Sequence, residues 1–476
     1  MPFLFIGIPL AAVVILNALN WKSRWSALWV ALAVSAVQVA LGAWALIQTI
    51  QTNAPVPSEF FGVTDFFGHF TVDTFGAIVL TIIGFIGCIT ALVAASTIHE
   101  SRFSFGSSLL ILLMGMNGVV MVTDIFSLYV FIEVTGAASF LLIAIDKKRD
   151  ELEGAFKYYL MSALATTMML MSIAFLFTLS GETSYAGVAA YMASLNGQYP
   201  MMLSAAILLF VIALSIKSGV VPFHTWVPDA HSSAPSPVSV VLAGVVIKVS
   251  GVFALMRVYR DVFLNDPKVG TALMVLAIVS IAVGALGAIG QSDIKRMLAF
   301  SSVSQIGYII LGVATGSALG FVGALMHFFN HATFKSLLFT NAAAVYHETG
   351  TRDMDKMGGL GSKMPVTSVS SILGLMSMAG IPPLSGFWSK LVIVMAVWQV
   401  SPGLAIAALC LSVLTLGYFL ILQKKVFFGK PAPAMESVTE CGGSLKFVEV
   451  LLSAVNVIAG LLFPLLLVYL HGKGVI

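Results

Sequence analysis

The sequence predicts an all-α polytopic membrane protein with fourteen transmembrane helices, and three observations predict it. Of its 476 residues, 59% are hydrophobic and only 9% are charged, against roughly 25% charged in an average soluble domain. Apolar runs near or above the roughly 18–20 residues that cross a bilayer recur along the whole length. The connections between them leave almost no soluble mass. Free backbone groups find no water in the bilayer core, so spanning segments of this kind are helices.

Composition also excludes classes of function. The net charge of +3 is small and scattered, which gives no footprint for nucleic acid. Cys88, Cys410 and Cys441 make no C-x-x-C pair of a zinc or iron–sulfur site. No Walker loop is present, and no G-x-G-x-x-G follows a strand pattern. The first apolar stretch has neither a basic n-region nor a small-residue cleavage site, so it reads as a retained span and not as a signal peptide.

The spans are read in order from hydropathy and interruptions. Residues 2–19, 26–50, 74–96 and 106–122 carry no charged residue. Span 124–145 carries one charge in its middle, Glu133, in LYVFIEVTGAASFLL. Span 155–179 is apolar. Span 200–221 ends in SIKSGVVPFHTWVPDAH, with Lys217 before Pro222. Span 237–257 holds Lys248 in VVLAGVVIKVSGVFALM, and 270–290 and 297–315 follow. Span 319–346 carries His327, His331 and Lys335 in LMHFFNHATFKSLLF. Span 365–395 is broken by Pro382 and Pro383 in GIPPLSGFWSKLVIV, with Lys390 beyond the break. Spans 402–423 and 447–471 complete the set.

Proline cannot donate to the helix ladder and clashes with the preceding turn. At bilayer depth the freed backbone is tolerated only where protein or water surrounds it. The breaks therefore predict hydrated pockets beside Lys217 and Lys390.

Basic residues in short loops set the orientation. Lys22 and Arg24 mark the first loop, Lys147, Lys148, Arg149 and Lys157 the fifth, Lys295 and Arg296 the ninth, and Lys424, Lys425 and Lys430 the thirteenth. Odd-numbered loops are then cytoplasmic and both termini lie outside. The acidic loop 51–73 and the Lys/Arg-free loop 180–199 fall outside too. The loop after the eighth span breaks the rule with Arg257, Arg260 and Lys268, among which sit Asp261 and Asp266.

An internal repeat is visible. TDIFSLYVFIEV (123–134) resembles SDIKRMLAFSSV (292–303) at an offset of 169, and AFKYYLMSA (155–163) resembles TFKSLLFTNA (333–342) at 178. The break at Pro222 has its counterpart at Pro382 and Pro383. If each unit holds an odd number of helices, the second copy is inverted, the sequence signature of secondary transporters.

A charge at bilayer depth costs roughly 2.5–3.5 kcal/mol on the lenient insertion scale. Glu133, Lys217, Lys248, Lys335 and Lys390 must therefore face the bundle interior, pair, or reach water. One reading is structural: buried ion pairs, or lysines near span ends that snorkel to the interface. The other is a proton relay. Desolvation lowers the pKa of buried lysine and raises that of buried glutamate, so a Glu–Lys pair brings both toward working pH. His327 and His331, spaced i, i+4, share one helix face. That spacing also suits a metal, but no H-E-x-x-H and no nearby carboxylate supports one.

KSGVVPFHTWVPDAHSSAPSPVSVVLAGVVIK (217–248), FNHATFKSLLF (329–339), GTRDMDKMGGLGSKMP (350–365), AGIPPLSGFWSK (379–390) and VFFGK (426–430) together resemble one family. It is that of the antiporter-like membrane subunits of respiratory complex I, the Mrp-type cation/proton antiporters and the membrane-bound hydrogenases. The resemblance covers roughly residues 105–430. It implies fourteen helices with two inverted five-helix repeats, helices 4–8 and 9–13, and broken helices 7 and 12. On it the chain divides into an N-terminal three-helix segment (1–105), a first repeat (106–260), a second inverted repeat (270–425) and a C-terminal helix (430–476). It also implies that Glu133 pairs with Lys217, that Lys248 is the central lysine of helix 8, that His327, His331 and Lys335 form the polar face of helix 11, and that Lys390 lies near the exit. The lateral helix of the longest complex I homologue does not follow the fourteenth span here, which places the chain inside an assembly or in a shorter complex.

The expected function is translocation of ions, protons foremost, by a subunit of a redox-driven membrane complex related to NADH:quinone oxidoreductase or membrane-bound hydrogenase. The alternatives are a subunit of an Mrp-type sodium/proton antiporter without redox partners, and a structural scaffold subunit. No cofactor is expected in this chain; iron–sulfur clusters, flavin or a nickel–iron centre belong to partner subunits. The expected partners are other integral membrane subunits, homologous antiporter-like ones included, within a bacterial or archaeal cytoplasmic membrane.

Overall fold

In the computed structural model, residues 2–18, 26–57 and 70–472 are described. Lys22, Arg24 and residues 58–69 of the acidic loop lie outside the described residues. The described chain is all-helical apart from a two-residue hairpin pairing Val56–Pro57 with Thr71–Val72.

The helices are α1 (Leu4–Ala18), α2 (Ser26–Thr52), α3 (Thr74–Thr97), α4 (Arg102–Met121), α5 (Ile125–Ile143), α6 (Arg149–Ser180), α7 (Tyr185–Ser194), α8 (Met201–Ser218), α9 (Trp226–Ser233), α10 (Ser236–Val262), α11 (Pro267–Ile289), α12 (Ile294–Ala314), α13 (Ala318–Thr349), α14 (Pro365–Ala379), α15 (Ser385–Val400), α16 (Pro402–Phe427) and α17 (Gly443–Gly472). Among the described residues, eleven are long and apolar enough to cross a membrane. The chain is thus a polytopic membrane protein. Three more apolar helices are shorter, Leu4–Ala18 and the two segments Pro365–Ala379 and Ser385–Val400 that flank the Pro382–Pro383 break. α13 spans 32 residues, with three histidines, two asparagines and a lysine set into its length.

Two compact units emerge. One gathers Met1–Ala91, Ile98–Gly219 and Val245–Asp266; the other Leu92–Thr97, Val220–Gly244 and Pro267–Ile476. Burial separates inner from outer helices. Every residue from 237 to 259 is buried, as is every residue from 301 to 314. α6 and α17 instead turn Phe156, Leu164, Phe177, Leu461 and Val468 outward, as a lipid-facing surface requires.

Several boundaries differ from the sequence expectation, for local reasons. α6 begins at Arg149 because Glu151 Oε2 accepts from the backbone N–H of Asp146 and Lys148 and fixes the first turn. Arg149 and Lys157 are therefore helical, not loop residues. Loop 180–199 contains α7, started by Ser184, whose hydroxyl accepts from Gly187 N. Lys295 lies in the first turn of α12 and is buried, and Lys424 and Lys425 belong to the π-helical end of α16. Arg257 and Arg260 lie within α10. Arg257 pairs with Asp73 at 2.5 Å and Asp261 at 3.4 Å, and Arg260 with Asp261 at 2.6 Å and Asp73 at 3.4 Å. Two of the three basic residues that break the loop rule, Arg257 and Arg260, are thus paired with carboxylates.

The offset of 169 recurs within each unit. Asp124 caps α5 by accepting from Ser127 N, and Asp293 caps α12 by accepting from Arg296 N. Ile125 N bonds Thr183 O, and Ile294 N bonds Arg352 O; Tyr185 N bonds Thr123 O, and Met354 N bonds Ser292 O. α6 and α13 have 32 residues each, start and finish 169 apart, and end on left-handed Gly181 and Gly350. The alternative offset of 178, which pairs Lys157 with Lys335, does not match these ends. At 169, Tyr158 and Ser162 share register with His327 and His331.

Candidate functional site

The first half of the site is built where α8 stops. Gly219 takes a left-handed conformation at φ 64° and its N–H bonds Ile216 and Ser215 carbonyls, a terminus that glycine adopts without a Cβ penalty. Lys217 lies in that last turn, where unpaired carbonyls favour a cation, and its side chain is 3% exposed. Its Nζ donates to Ser162 Oγ of α6 at 2.5 Å and stands 3.8 Å from Glu133 Oε1 of α5. A Cβ on Gly136, one turn after Glu133, would meet Ser162 Oγ at 3.1 Å and Lys217 Nζ at 3.5 Å, so glycine there leaves room for the ammonium. Glu133 departs from the expected buried position: 44% of its side chain is exposed.

Lys248 is fully buried in a π-helical stretch, Lys248–Phe253, a distortion frequent at functional sites. Three residues on, a Cβ at Gly251 would fall 2.5 Å from Ser218 N. The helix carrying Lys248 therefore touches the turn carrying Lys217.

The second unit holds the remaining residues. The chain resumes as α9 after the break at Pro222, and Val221 N donates to Ser280 Oγ at 3.1 Å. The bonds Val221–Pro222 and Pro382–Pro383 are both cis. α14 ends on left-handed Gly380 at φ 84°, and α15 starts beyond Pro382 and Pro383. Lys390 reaches back from α15, donating to Met378 O at 2.8 Å, with its Nζ 4.7 Å from the centre of the Tyr308 ring. The two breaks end on Gly219 and Gly380, so Met378 occupies the place of Lys217. Both ammonium groups thus meet the C-terminus of a broken helix, from opposite chain directions.

On α13, Lys335 is fully buried and donates to Leu298 O at 2.8 Å and to Ser301 Oγ. His327 Nδ1 is 2.9 Å from Ser389 Oγ, which also receives Asn330 Nδ2 at 2.9 Å. His327 and His331 stack at 6.4 Å, and His327 lies 6.1 Å from the Tyr308 ring. His327, Ser389, Tyr308 and Lys390 thereby form one polar group. Neither Lys335 nor Lys390 snorkels.

Ser162, Asn330, Ser389 and Tyr308 do not stand out in the sequence, because uncharged residues give no hydropathy signal in a span. Lys295 reads as a loop residue there, yet its Nζ donates at 2.7 Å to Ala234 O, the C-terminal cap of α9.

Residues 122–415 match the family described as NADH:quinone oxidoreductase/Mrp antiporter, TM. A Na(+)/H(+) antiporter subunit of Alkalihalophilus pseudofirmus is 30% identical over 393 residues, 82% of this chain and 79% of that protein. An NADH-quinone oxidoreductase subunit of Desulforudis audaxviator is 34% identical over 414 residues, 84% and 81% respectively. Among solved structures, a chain of the Mrp complex from Dietzia sp. DQ12-45-1b superimposes with a TM-score of 0.90 at 26% identity, covering 98% of this chain and 95% of that one. A chain of the membrane-bound sulfane sulfur reductase, an archaeal respiratory membrane complex, gives 0.89 at 25% identity, covering 100% and 96%.

Proposed function

This chain belongs to the NADH:quinone oxidoreductase/Mrp antiporter family of membrane subunits, and from that premise we propose that it translocates protons as one subunit of a larger, redox-driven membrane complex. The observation that carries the reading is Lys217. It is a buried ammonium at a broken helix end, held by Ser162 and facing a half-exposed Glu133. An outward carboxylate lets a neighbouring antiporter-like subunit act on the lysine electrostatically. In this reading Glu133, Lys217 and Lys248 carry protons in the first unit, and Lys335, His331, His327 and Lys390 in the second. Pro222, Pro382 and Pro383 open the backbone to water at each end.

The fold that serves this has fourteen spans with inverted repeats over helices 4–8 and 9–13, within the borders 1–105, 106–260, 270–425 and 430–476. The matching caps, glycine ends and bridges at offset 169 support the repeat. The chain sits in a bacterial or archaeal cytoplasmic membrane with both termini outside. Iron–sulfur, flavin or nickel–iron centres reside in partner subunits.

Replacing Lys217 or Glu133 by alanine tests the reading in proteoliposomes of the whole complex. Proton pumping is expected to fall at least about fivefold; a variant that assembles and pumps like wild type removes that residue from the relay. The second reading is an Mrp-type sodium/proton antiporter without redox partners, favoured by the likeness to the Na(+)/H(+) antiporter relative. The proteins that copurify decide between them: redox-cofactor subunits support the first, and only small membrane proteins the second.

A further inference from the structure

A polar cluster joins the starts of α14 and α17 and takes no part in the proposed relay. Glu449 of α17 is fully buried. Its Oε1 accepts from Asn341 Nδ2 of α13 at 2.8 Å, and its Oε2 lies 3.1 Å from Thr367 Oγ1 of α14. The same Thr367 Oγ1 is 2.8 Å from Glu440 Oε1 and 3.8 Å from Cys441 Sγ. One hydroxyl therefore stands between two carboxyl groups. A threonine hydroxyl has a single hydrogen to donate, and an ionised carboxylate has none. With both glutamates ionised, one of the two contacts would lack a hydrogen. Among the described residues, neither glutamate forms an ion pair, and the titratable groups facing Glu449 are Glu440 and Cys441.

The surroundings decide which glutamate carries the missing hydrogen. Glu440 is partly exposed. Its Oε2 accepts from Val366 N at 2.7 Å and its Oε1 from Cys441 N at 3.2 Å. Val366 N is one of the unpaired amides in the first turn of α14, where the helix dipole favours an anion. Glu449 has only the Asn341 amide, at complete burial, where an uncompensated charge is costly.

We infer that Glu449 is a proton-binding site: its carboxylic O–H donates to Thr367, and Thr367 donates to ionised Glu440. When Glu449 gives up its proton, its O–H bond breaks and a new one forms at Thr367 Oγ1. The original threonine hydrogen passes to Glu440 Oε1. One proton has then moved toward water and the hydroxyl is restored. Asn341 Oδ1 and Ser453 Oγ, in residues only 3% and 7% exposed, have no hydrogen-bond partner among the described residues. Asn341 holds Glu449 directly, and Ser453 lies one turn after it. Two such groups beside a carboxyl are places for water, the medium that exchanges this proton. The ligand atoms of Glu440, Cys441 and Glu449 lie within 4.8 Å of one another, which one cation could also span. Thr367 Oγ1 occupies the space between them, which favours the proton.

The site stands independently of the relay, so its test is spectroscopic. Infrared spectra of the intact complex at neutral pH are compared in H2O and D2O. A protonated-carboxyl C=O band that shifts in D2O, disappears in Glu449→Gln and persists in Glu133→Gln supports the assignment. Glutamine keeps the shape and supplies N–H donors. If that variant fails to assemble, Thr367→Val reads the same band, which must move in frequency once its acceptor is lost. No band assignable to Glu449, or a band unmoved by Thr367→Val, overturns the inference. So does a band abolished by added sodium chloride, which makes the site one for a cation.

Discussion

The most discriminating perturbation concerns what holds the Lys217 ammonium. Ser162 Oγ is at 2.5 Å and Glu133 Oε1 at 3.8 Å, so the neutral partner is nearer than the charged one. A hydrogen bond to a charged group contributes about 1.5–3 kcal/mol, which makes Ser162→Ala an effect of about tenfold to 150-fold. A carboxylate near 4 Å contributes about 1 kcal/mol in water and about 4 kcal/mol at an effective dielectric of 20. Glu133 is 44% exposed in this chain, so Glu133→Gln tends toward about fivefold if water screens it and toward a thousandfold if a neighbouring subunit covers it. The assay is proton uptake by proteoliposomes containing the assembled wild-type, single-variant and double-variant complexes. Because both residues act on one ammonium, the double variant should lose clearly less than the product of the single losses. Strict multiplicativity with all subunits present, or both single variants within twofold of wild type, refutes this account of the site.

Four further outcomes follow from the same geometry. Burial alone would raise the Asp73 carboxyl, but Arg257 and Arg260 hold it below the usual carboxylate range. The stability it lends is therefore present above about pH 4 and lost as pH falls below; Asp73→Asn should flatten the acid limb of a thermal-unfolding series in detergent and lower stability at neutral pH. Gly251→Ala drives a Cβ to 2.5 Å from Ser218 N and should cost about 1–3 kcal/mol of stability, read as a lowered unfolding midpoint together with reduced pumping. Lys295→Met strips a donor from the buried Ala234 carbonyl and should cost about 1–3 kcal/mol. Arg296→Ala, which breaks a half-exposed pair with Asp229, should cost under about 1 kcal/mol.

Much of this was legible because its causes are local. Hydrophobic runs give spans, and Pro222, Pro382 and Pro383 stop helices wherever they stand. The buried lysines announced themselves through the cost of placing charge in lipid. What escaped depends on facing and on caps. A span that is apolar all round has no polar face to orient it, so the outward turn of Glu133 was invisible. The pairing of Lys157 with Lys335 matched like with like, yet register is fixed by Asp124, Asp293, Gly181 and Gly350, whose caps and glycine ends recur at 169. Ser162 and Ser389 carry no charge and so no penalty, and only the fold shows them against Lys217 and His327.

The two broken helices solve one electrostatic problem in two ways. A helix C-terminus carries about half a negative charge on its unpaired carbonyls. Lys217 lies inside such a terminus and adds Glu133; Lys390 arrives from the following segment, bonds Met378 O and faces Tyr308. Among the described residues no carboxylate stands within ion-pair reach of Lys390. Its ammonium is held by fixed backbone dipoles and an aromatic face, which no neighbouring subunit can protonate or withdraw. The Lys217 ammonium is held in part by a carboxylate that reaches the surface of the chain. Of the two lysines, only Lys217 has a carboxylate beside it through which an outside charge would act, so under the relay proposed above the electrostatic signal would enter at Glu133.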